Sequence, residues 1–184
     1  CIKFNLPKNS KILLMLAEYD FRKGHSFIIN VMEKIIKKDK NIFLFVYGYG
    51  EKNLIQKIVN KSAASKNIFL NSYNENNIGL INECDVLVIP SQEYESFGYS
   101  AIEALSQRKP VIATDCGGLP EVIKNNITGF IVEKNNPIKF SRKILNLTYD
   151  KRIQKKFFIN SSIDFKKRFS HIKMIKSYNN LIKY

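Results

Sequence analysis

Ser91-Gln92-Glu93-Tyr94-Glu95-Ser96-Phe97-Gly98-Tyr99-Ser100-Ala101-Ile102-Glu103-Ala104 stands between two runs with the look of buried strands, Asp85 to Pro90 and Pro110 to Thr114. The first half of the stretch reads as a loop, and the second, from about Phe97 to Gln107, as a helix. Strand, loop, helix and strand in succession form the unit from which parallel sheets are built. An acidic loop that runs straight into a glycine-bearing helix N-terminus puts free backbone N–H groups where an anion can meet them. The carboxylates beside them can accept hydrogen bonds from hydroxyl groups.

The same alternation extends outward in both directions. Upstream, Ile12 to Ala17 is a continuous apolar strand, and Glu18 to Gly24 is a polar loop. His25 to Lys38 has helical period, with Phe27, Ile28, Val31 and Ile35 on one stripe. Asn41 to Tyr47 is a second buried strand, ending in Gly48-Tyr49-Gly50, and Glu51 to Ser65 is a helix. Asn67 to Leu70 is a short strand, Asn71 to Asn74 a loop, and Glu75 to Glu83 a short helix weakened by Gly79. Downstream, Lys109-Pro110 stops the central helix and Val111 to Thr114 is a strand. Gly117-Gly118-Leu119-Pro120-Glu121 turns into a short helix ending near Lys124, and Thr128 to Glu133 is the last strand. Beyond Pro137 the chain is helical and basic: Phe140 to Leu147, Lys151 to Asn160, a polar link from Ser161 to Ser170, and a last helix from His171 to Tyr184. The expected fold is α/β: a Rossmann-like parallel sheet of about six strands with helices on both faces, plus a helical C-terminal tail. One domain spans 1–184, with its core at about 10–135 and its tail at about 137–184. Every candidate loop follows a strand, so all are expected at the C-terminal edge of the sheet, where such folds bind ligands.

Composition narrows the classes. The 184 residues suffice for one substantial core. No apolar run approaches the roughly 20 residues of a membrane helix. Cys1, Cys84 and Cys116 are odd in number and form no CxxC pair, which argues against a zinc knuckle or disulfide framework and fits a reducing cytoplasm. The start at Cys1 shows no secretory pattern, and without an initiator Met it reads as the edge of an excised piece. Thirty Lys and Arg against 16 Asp and Glu give a formal charge of +14. The lysines are scattered, and no aromatic–basic RNA motif or zinc-finger spacing accompanies them, so most of the charge reads as a solvated surface and nucleic acid is not the expected partner.

Glu95 precedes the central helix and Glu103 lies inside it, so two carboxylates can hold separated hydroxyls of one extended ligand. The N–H groups of Phe97, Gly98 and Tyr99 lie between them for a phosphate. The bland alternative is a solvated loop with Ser96 as an ordinary N-cap. Lys23, in the loop after the first strand, can reach a phosphate as a point charge. Gly48-Tyr49-Gly50 lacks the third glycine of a dinucleotide fingerprint and the spacing of a P-loop. His25 and His171 belong to no metal-spaced cluster, no GxSxG elbow occurs, and Asp20, Asp85 and Asp115 form no DxD pair.

Taken together, Glu95-Ser96-Phe97-Gly98, Glu103-Ala104, Lys109-Pro110-Val111-Ile112-Ala113, Gly117-Gly118, Glu121 and Thr128-Gly129 resemble the donor-domain signature of retaining family-4 glycosyltransferases of GT-B architecture. Lys23-Gly24 and Gly48-Tyr49-Gly50 match the family's upstream elements in order and spacing. The resemblance implies a catalytic role for Glu95, at the donor-sugar hydroxyls, and for Lys23, at the diphosphate of a nucleotide-sugar. It implies ribose contacts for Glu103, backbone contacts near Ser96, Phe97, Gly98, Tyr99, Gly48 and Gly50, and Tyr73 near the base. It implies no metal and no cofactor beyond the nucleotide-sugar substrate. Where many relatives carry an arginine five residues before the lysine, this chain has Glu18, and Arg22 is the expected substitute. His171 stands where the family's tail carries an aromatic. The family's N-terminal acceptor domain, with its active-site histidine, is absent from this chain, so the piece alone is expected to bind donor weakly and transfer nothing. Its last helix is expected to meet that domain through Ile175, Tyr178 and Ile182. The implied setting is cytoplasmic, with peripheral contact at the inner face of the membrane, and the implied product is a glycan or lipid-linked sugar. Alternatives are an epimerase or a starch/glycogen-type synthase of the same architecture, and a non-catalytic basic module binding nucleic acid or protein.

Overall fold

Each apolar run alternates its side chains between the two faces of a strand, and because both faces are apolar, both must be covered. In a computed structural model, which describes residues 6–182 with the side chain of Leu181 excepted, the runs become β1 (Lys11–Leu16), β2 (Ile42–Gly48), β3 (Ile68–Ser72), β4 (Val86–Ile89), β5 (Val111–Thr114) and β6 (Gly129–Val132). They form one six-stranded sheet in the order β3-β2-β1-β4-β5-β6, and every pair is parallel. The helices between and after them are α1 (His25–Ile36), α2 (Lys52–Lys61), α3 (Asn77–Glu83), α4 (Tyr99–Ser106), α5 (Leu119–Val122), α6 (Pro137–Tyr149), α7 (Lys151–Arg168) and α8 (His171–Ile182). Cys1 lies outside the described residues, as do the last two positions of the expected final helix.

The alternation divides the core in two. Leu13 and Met15 of β1, Leu44 and Val46 of β2, and Val86 and Val88 of β4 face α1, α2 and α6. Leu14, Phe43, Phe45, Leu87 and Ile89 face the other way, toward α3, α4 and α5. A one-residue slip of any strand would exchange these sets, so the register is strongly specified. At the β1–β4 junction Asp85 adds a polar clamp: its carboxylate accepts the Ile12 N–H at 2.8 Å and pairs with Lys11 at 3.2 Å.

Several helix boundaries depart from expectation; α2 ends at Lys61, four residues before the expected Ser65, and α6 starts at Pro137, three before the expected Phe140. The central helix begins at Tyr99, not Phe97, because Gly98 sits in the left-handed region at φ 80° and cannot continue a helix backward. The third helix starts at Asn77, and Asn76 caps it by accepting the Gly79 N–H at 2.8 Å. A Cβ on Gly79 would fall 2.4 Å from the Asn76 side chain, so the glycine that weakened the helix signal makes room for its cap. The polar link expected at Ser161–Ser170 is instead the second half of α7. Its fully buried residues are polar: Ser161 donates to the Thr128 carbonyl, and Asp164 lies between Lys124 and Arg168, with Phe165 half-buried beside them. Arg168 also donates to the carbonyls of Glu121 and Val122 at the end of α5. A helix held down by polar contacts shows no hydrophobic stripe.

Phe140 of α6 is completely buried and meets Phe27 of α1 edge-on, with ring centroids 5.3 Å apart. Phe140→Ala is expected to cost about 4 kcal/mol of folding stability, read by urea denaturation. A loss under about 1 kcal/mol would show that the α6 layer is not part of the cooperative core.

Candidate functional site

β1 sends its chain outward toward β2, and β4 sends its chain the opposite way toward β5. The loops leaving these neighbouring strands diverge, and a crevice opens between them at the C-terminal edge. A cleft of about 300 Å³ occupies that place. Its walls include Ala17 and Glu18 after β1, Lys23 in the following turn, Gly48 and Tyr49 at the end of β2, Tyr73 after β3, Ser91 and Glu95 after β4, and Tyr99, Ser100 and Glu103 on α4.

The turn that carries Lys23 is fixed by backbone contacts. Asp20 caps a short 3-10 turn, Phe21–Lys23, and Gly24 follows at φ 80°. A Cβ on Gly24 would lie 1.9 Å from the Pro90 carbonyl oxygen, so only glycine lets this turn press against the end of β4. The Gln92 N–H donates to the Arg22 carbonyl at 2.9 Å and ties the two loops again. His25 is buried beneath; its Nε2 meets the Glu18 carbonyl at 2.8 Å and its ring stacks on Tyr19. Burial holds His25 below the usual histidine range. The Tyr19 hydroxyl donates to the Asn71 carbonyl at 2.6 Å, and burial pushes its pKa up to about 12.

The loop that carries Glu95 is backed by the Gly117-Gly118 turn. A Cβ on Gly117 would sit 1.8 Å from the Glu95 carbonyl oxygen, which also accepts the Gly118 N–H at 3.0 Å. Held from both sides, the loops bring Lys23 Nζ to 3.0 Å from Glu95 Oε2, and the buried Ser91 hydroxyl donates to the same oxygen at 3.1 Å. Thr114 of β5 donates to the Ser91 carbonyl and fixes that residue in turn. Among the described residues no protein acceptor takes the N–H groups of Phe97, Gly98, Tyr99 or Ser100, so the start of α4 offers donors to an anion. Glu103, one helical turn beyond Tyr99, has no ion pair among the described residues, and burial raises its carboxyl above the ordinary range.

Of the residues singled out in the sequence, Lys23, Glu95, Glu103, Gly48, Tyr73 and Tyr99 line the cleft. Gly50, at φ 101°, is outside it and bridges to Tyr19. Ser96 is exposed and caps nothing, since the cap position is Gly98. Phe97 is exposed and packs edge-on against Tyr99 and Phe169. Arg22 is displaced from its expected role. Its guanidinium is bonded to Asp20 through Nε at 3.0 Å and a terminal nitrogen at 2.7 Å, and it does not line the cleft. Ser91, Asn77, Ser100 and Tyr47 line the cleft without having been singled out; the signal for Ser91 was its position immediately after a strand.

Residues 2–162 match the family model described as glycosyl transferases group 1. The chain belongs to this family. A relative named as an uncharacterized glycosyltransferase of Methanocaldococcus jannaschii is 30% identical over 176 residues, covering 91% of this chain and 49% of the relative. A glycosyltransferase structure from Rickettsia africae superposes with a TM-score of 0.90 at 27% identity, covering 100% of this chain and 50% of that one. TarM of S. aureus, solved in complex with UDP among other ligands, gives 0.87 at 27% identity, covering 98% and 37%. This group 1 chain thus spans half or less of the length of these three relatives. Its six-stranded sheet is the Rossmann-like, donor-side half of the GT-B architecture seen in them, and corresponds to their C-terminal domain.

The raised carboxyl of Glu103 has a definite sign. A carboxyl whose folded pKa lies above its unfolded value costs stability as pH rises from the unfolded pKa through the folded one. Glu103→Gln is therefore expected to raise the Tm of the ligand-free chain at neutral pH, with the gain shrinking as pH falls toward the ordinary glutamate range. Scanning calorimetry at several pH values checks this; a gain that grows on acidification would contradict it.

Proposed function

We propose that this chain is the donor half of a retaining glycosyltransferase, holding a nucleotide-diphosphate sugar for transfer of a hexosyl group to a glycan or a lipid-linked acceptor. The observation that carries the reading is the convergence of Lys23, Glu95, Glu103 and the free N–H groups of α4 on one cleft at the β1–β4 switch point. Lys23 and the α4 amides receive the diphosphate. They stabilise the negative charge that develops there as the sugar leaves, the kind of preorganised stabilisation worth about 3 kcal/mol per donor. The ligand-free Lys23–Glu95 pair opens, Lys23 turns to phosphate, and Glu95 is released to accept hydrogen bonds from the sugar hydroxyls. Glu103 accepts from the ribose hydroxyls, and Tyr73, exposed beside Tyr49 with ring centroids 6.2 Å apart, flanks the base. The mechanism invokes no metal or other cofactor. UDP in the TarM structure supports a nucleotide ligand of this kind.

The acceptor side and its catalytic groups are proposed to come from an N-terminal domain outside this chain. α8 is suited to meet it: Ile172, Ile175, Tyr178 and Ile182 are all exposed. Calorimetric titration with UDP, GDP and ADP is expected to find one that binds in the millimolar to micromolar range, and Lys23→Ala and Glu103→Ala are each expected to weaken it about 10- to 100-fold. Absence of binding by the wild type at millimolar ligand would sink the proposal.

The proposed place of work is the cytoplasmic surface of an anionic membrane. No helix among the described residues is long and apolar enough to cross one. Lys151, Arg152, Lys155, Lys156, Lys166 and Lys167 on α7 are available for surface attraction, at about 1 kcal/mol for each residue that reaches the headgroups. Flotation is expected to find the chain on vesicles containing phosphatidylserine and not on purely zwitterionic ones. Equal recovery on both would count against it.

A further inference from the structure

The charge inside the cleft runs against the charge of the whole chain. The formal charge is +14, yet the lining has one cationic side chain, Lys23, against three carboxylates, Glu18, Glu95 and Glu103. Glu95 is matched by Lys23 and Ser91. Glu103 lies along the flank of α4, where the ribose is placed. Glu18 has no hydrogen bond or ion pair to its carboxylate among the described residues, and it shares its turn with Lys23.

Its position is built into the fold. The Glu18 carbonyl accepts from His25 Nε2 and from the Asp20 N–H, both at 2.8 Å. The residues on either side extend the β1–β2 ladder, Ala17 N–H to the Tyr47 carbonyl at 3.1 Å and Tyr19 N–H to the Tyr49 carbonyl at 2.7 Å. The side chain passes over Gly50, whose missing Cβ would be 3.5 Å from Glu18 Cγ. A carboxylate held this way cannot withdraw by moving its backbone. Its side chain lines the same cleft as Lys23, and the nearby charge it feels is the Arg22 guanidinium, which is itself bonded to Asp20.

We infer that Glu18 is a specificity-determining residue that makes the cleft favour the nucleotide-sugar over the free nucleoside diphosphate left by transfer. The inference rests on the donor-binding reading above. When the sugar–phosphate bond breaks, its electron pair stays on the terminal phosphate oxygen. The acceptor oxygen bonds the anomeric carbon, and its proton passes to solvent. The terminal phosphate changes from one joined by an ester to the sugar and an anhydride to its neighbour, bearing one negative charge, to one joined through the anhydride alone, bearing about 1.5 to 2 at neutral pH. The repulsion from Glu18 therefore rises at the moment of transfer, while Glu95, freed of the sugar, competes again for Lys23. Both changes push the product out.

The test titrates the wild-type chain, Glu18→Gln and Lys23→Ala with UDP, GDP and ADP and with the glucose ester of each. Glu18→Gln is expected to tighten the free diphosphate about tenfold and its glucose ester about threefold, as one charge acting through a partly solvated cleft should. The difference between the two should shrink as salt is raised. An equal change in both ligands, no change, or a difference indifferent to salt would overturn the inference. If Lys23→Ala weakens both ligands while Glu18→Gln treats them alike, the donor-binding reading stands and the role of Glu18 falls. If nothing binds to any variant, or if Lys23→Ala changes nothing, the donor-binding reading falls and takes this inference with it.

Discussion

The contact between the turn after β1 and the end of β4, made possible by the bare α-carbon of Gly24, is the constraint from which the cleft follows. β1 and β4 are neighbours in the sheet but far apart in sequence, and their outgoing loops lead to opposite edges. Left to themselves, such loops would diverge. Gly24 against Pro90, the Gln92 N–H on the Arg22 carbonyl, and Lys23 on Glu95 draw them back together above the switch point. The Gly117-Gly118 turn supports the far side by the same device, backbone against backbone where no side chain intervenes. The cleft is therefore set mainly by main-chain geometry, which packed strands hold more firmly than side chains on a loop could.

This scaffold gives the ion pair its meaning. Lys23 and Glu95 are both largely shielded from solvent, at 25% and 15% side-chain exposure, so neither can lose its partner without a replacement. On the proposed reading, a donor with a diphosphate for the lysine and hydroxyls for the glutamate would supply both replacements at once. Burial of Glu103 disfavours its charged form.

The fold was legible because the central strands are buried on both faces and read as apolar runs, while Gly and Pro mark the turns. All six strands fall within about two residues of where the sequence places them. The helix errors have two causes: hydrophobic period is blind both to polar contacts and to the backbone conformation a glycine adopts. The second half of α7 is held by Ser161, Asp164 and Arg168, and so it resembles a linker. α4 starts late because Gly98 adopts a left-handed conformation, which composition marks as available but not as taken. In the site, Glu95, Glu103 and Lys23 were legible from spacing together with family likeness. Asn77 was not, since it stands at the start of a helix that is separated from the cleft loops in sequence.

By itself the sequence determined the order of strands and helices, the edge of the sheet where ligands gather, and the acidic and basic residues brought to that edge. The reason is local: period, turn chemistry and helix caps are properties of neighbouring residues. Only the tertiary structure decided which cation faces the cleft. Arg22 and Lys23 are adjacent and equally basic in sequence, yet Arg22 closes on Asp20 two residues away, while Lys23 reaches across the crevice to Glu95. That reach depends on where β4 lies relative to β1, a relation fixed by packing between residues some seventy positions apart.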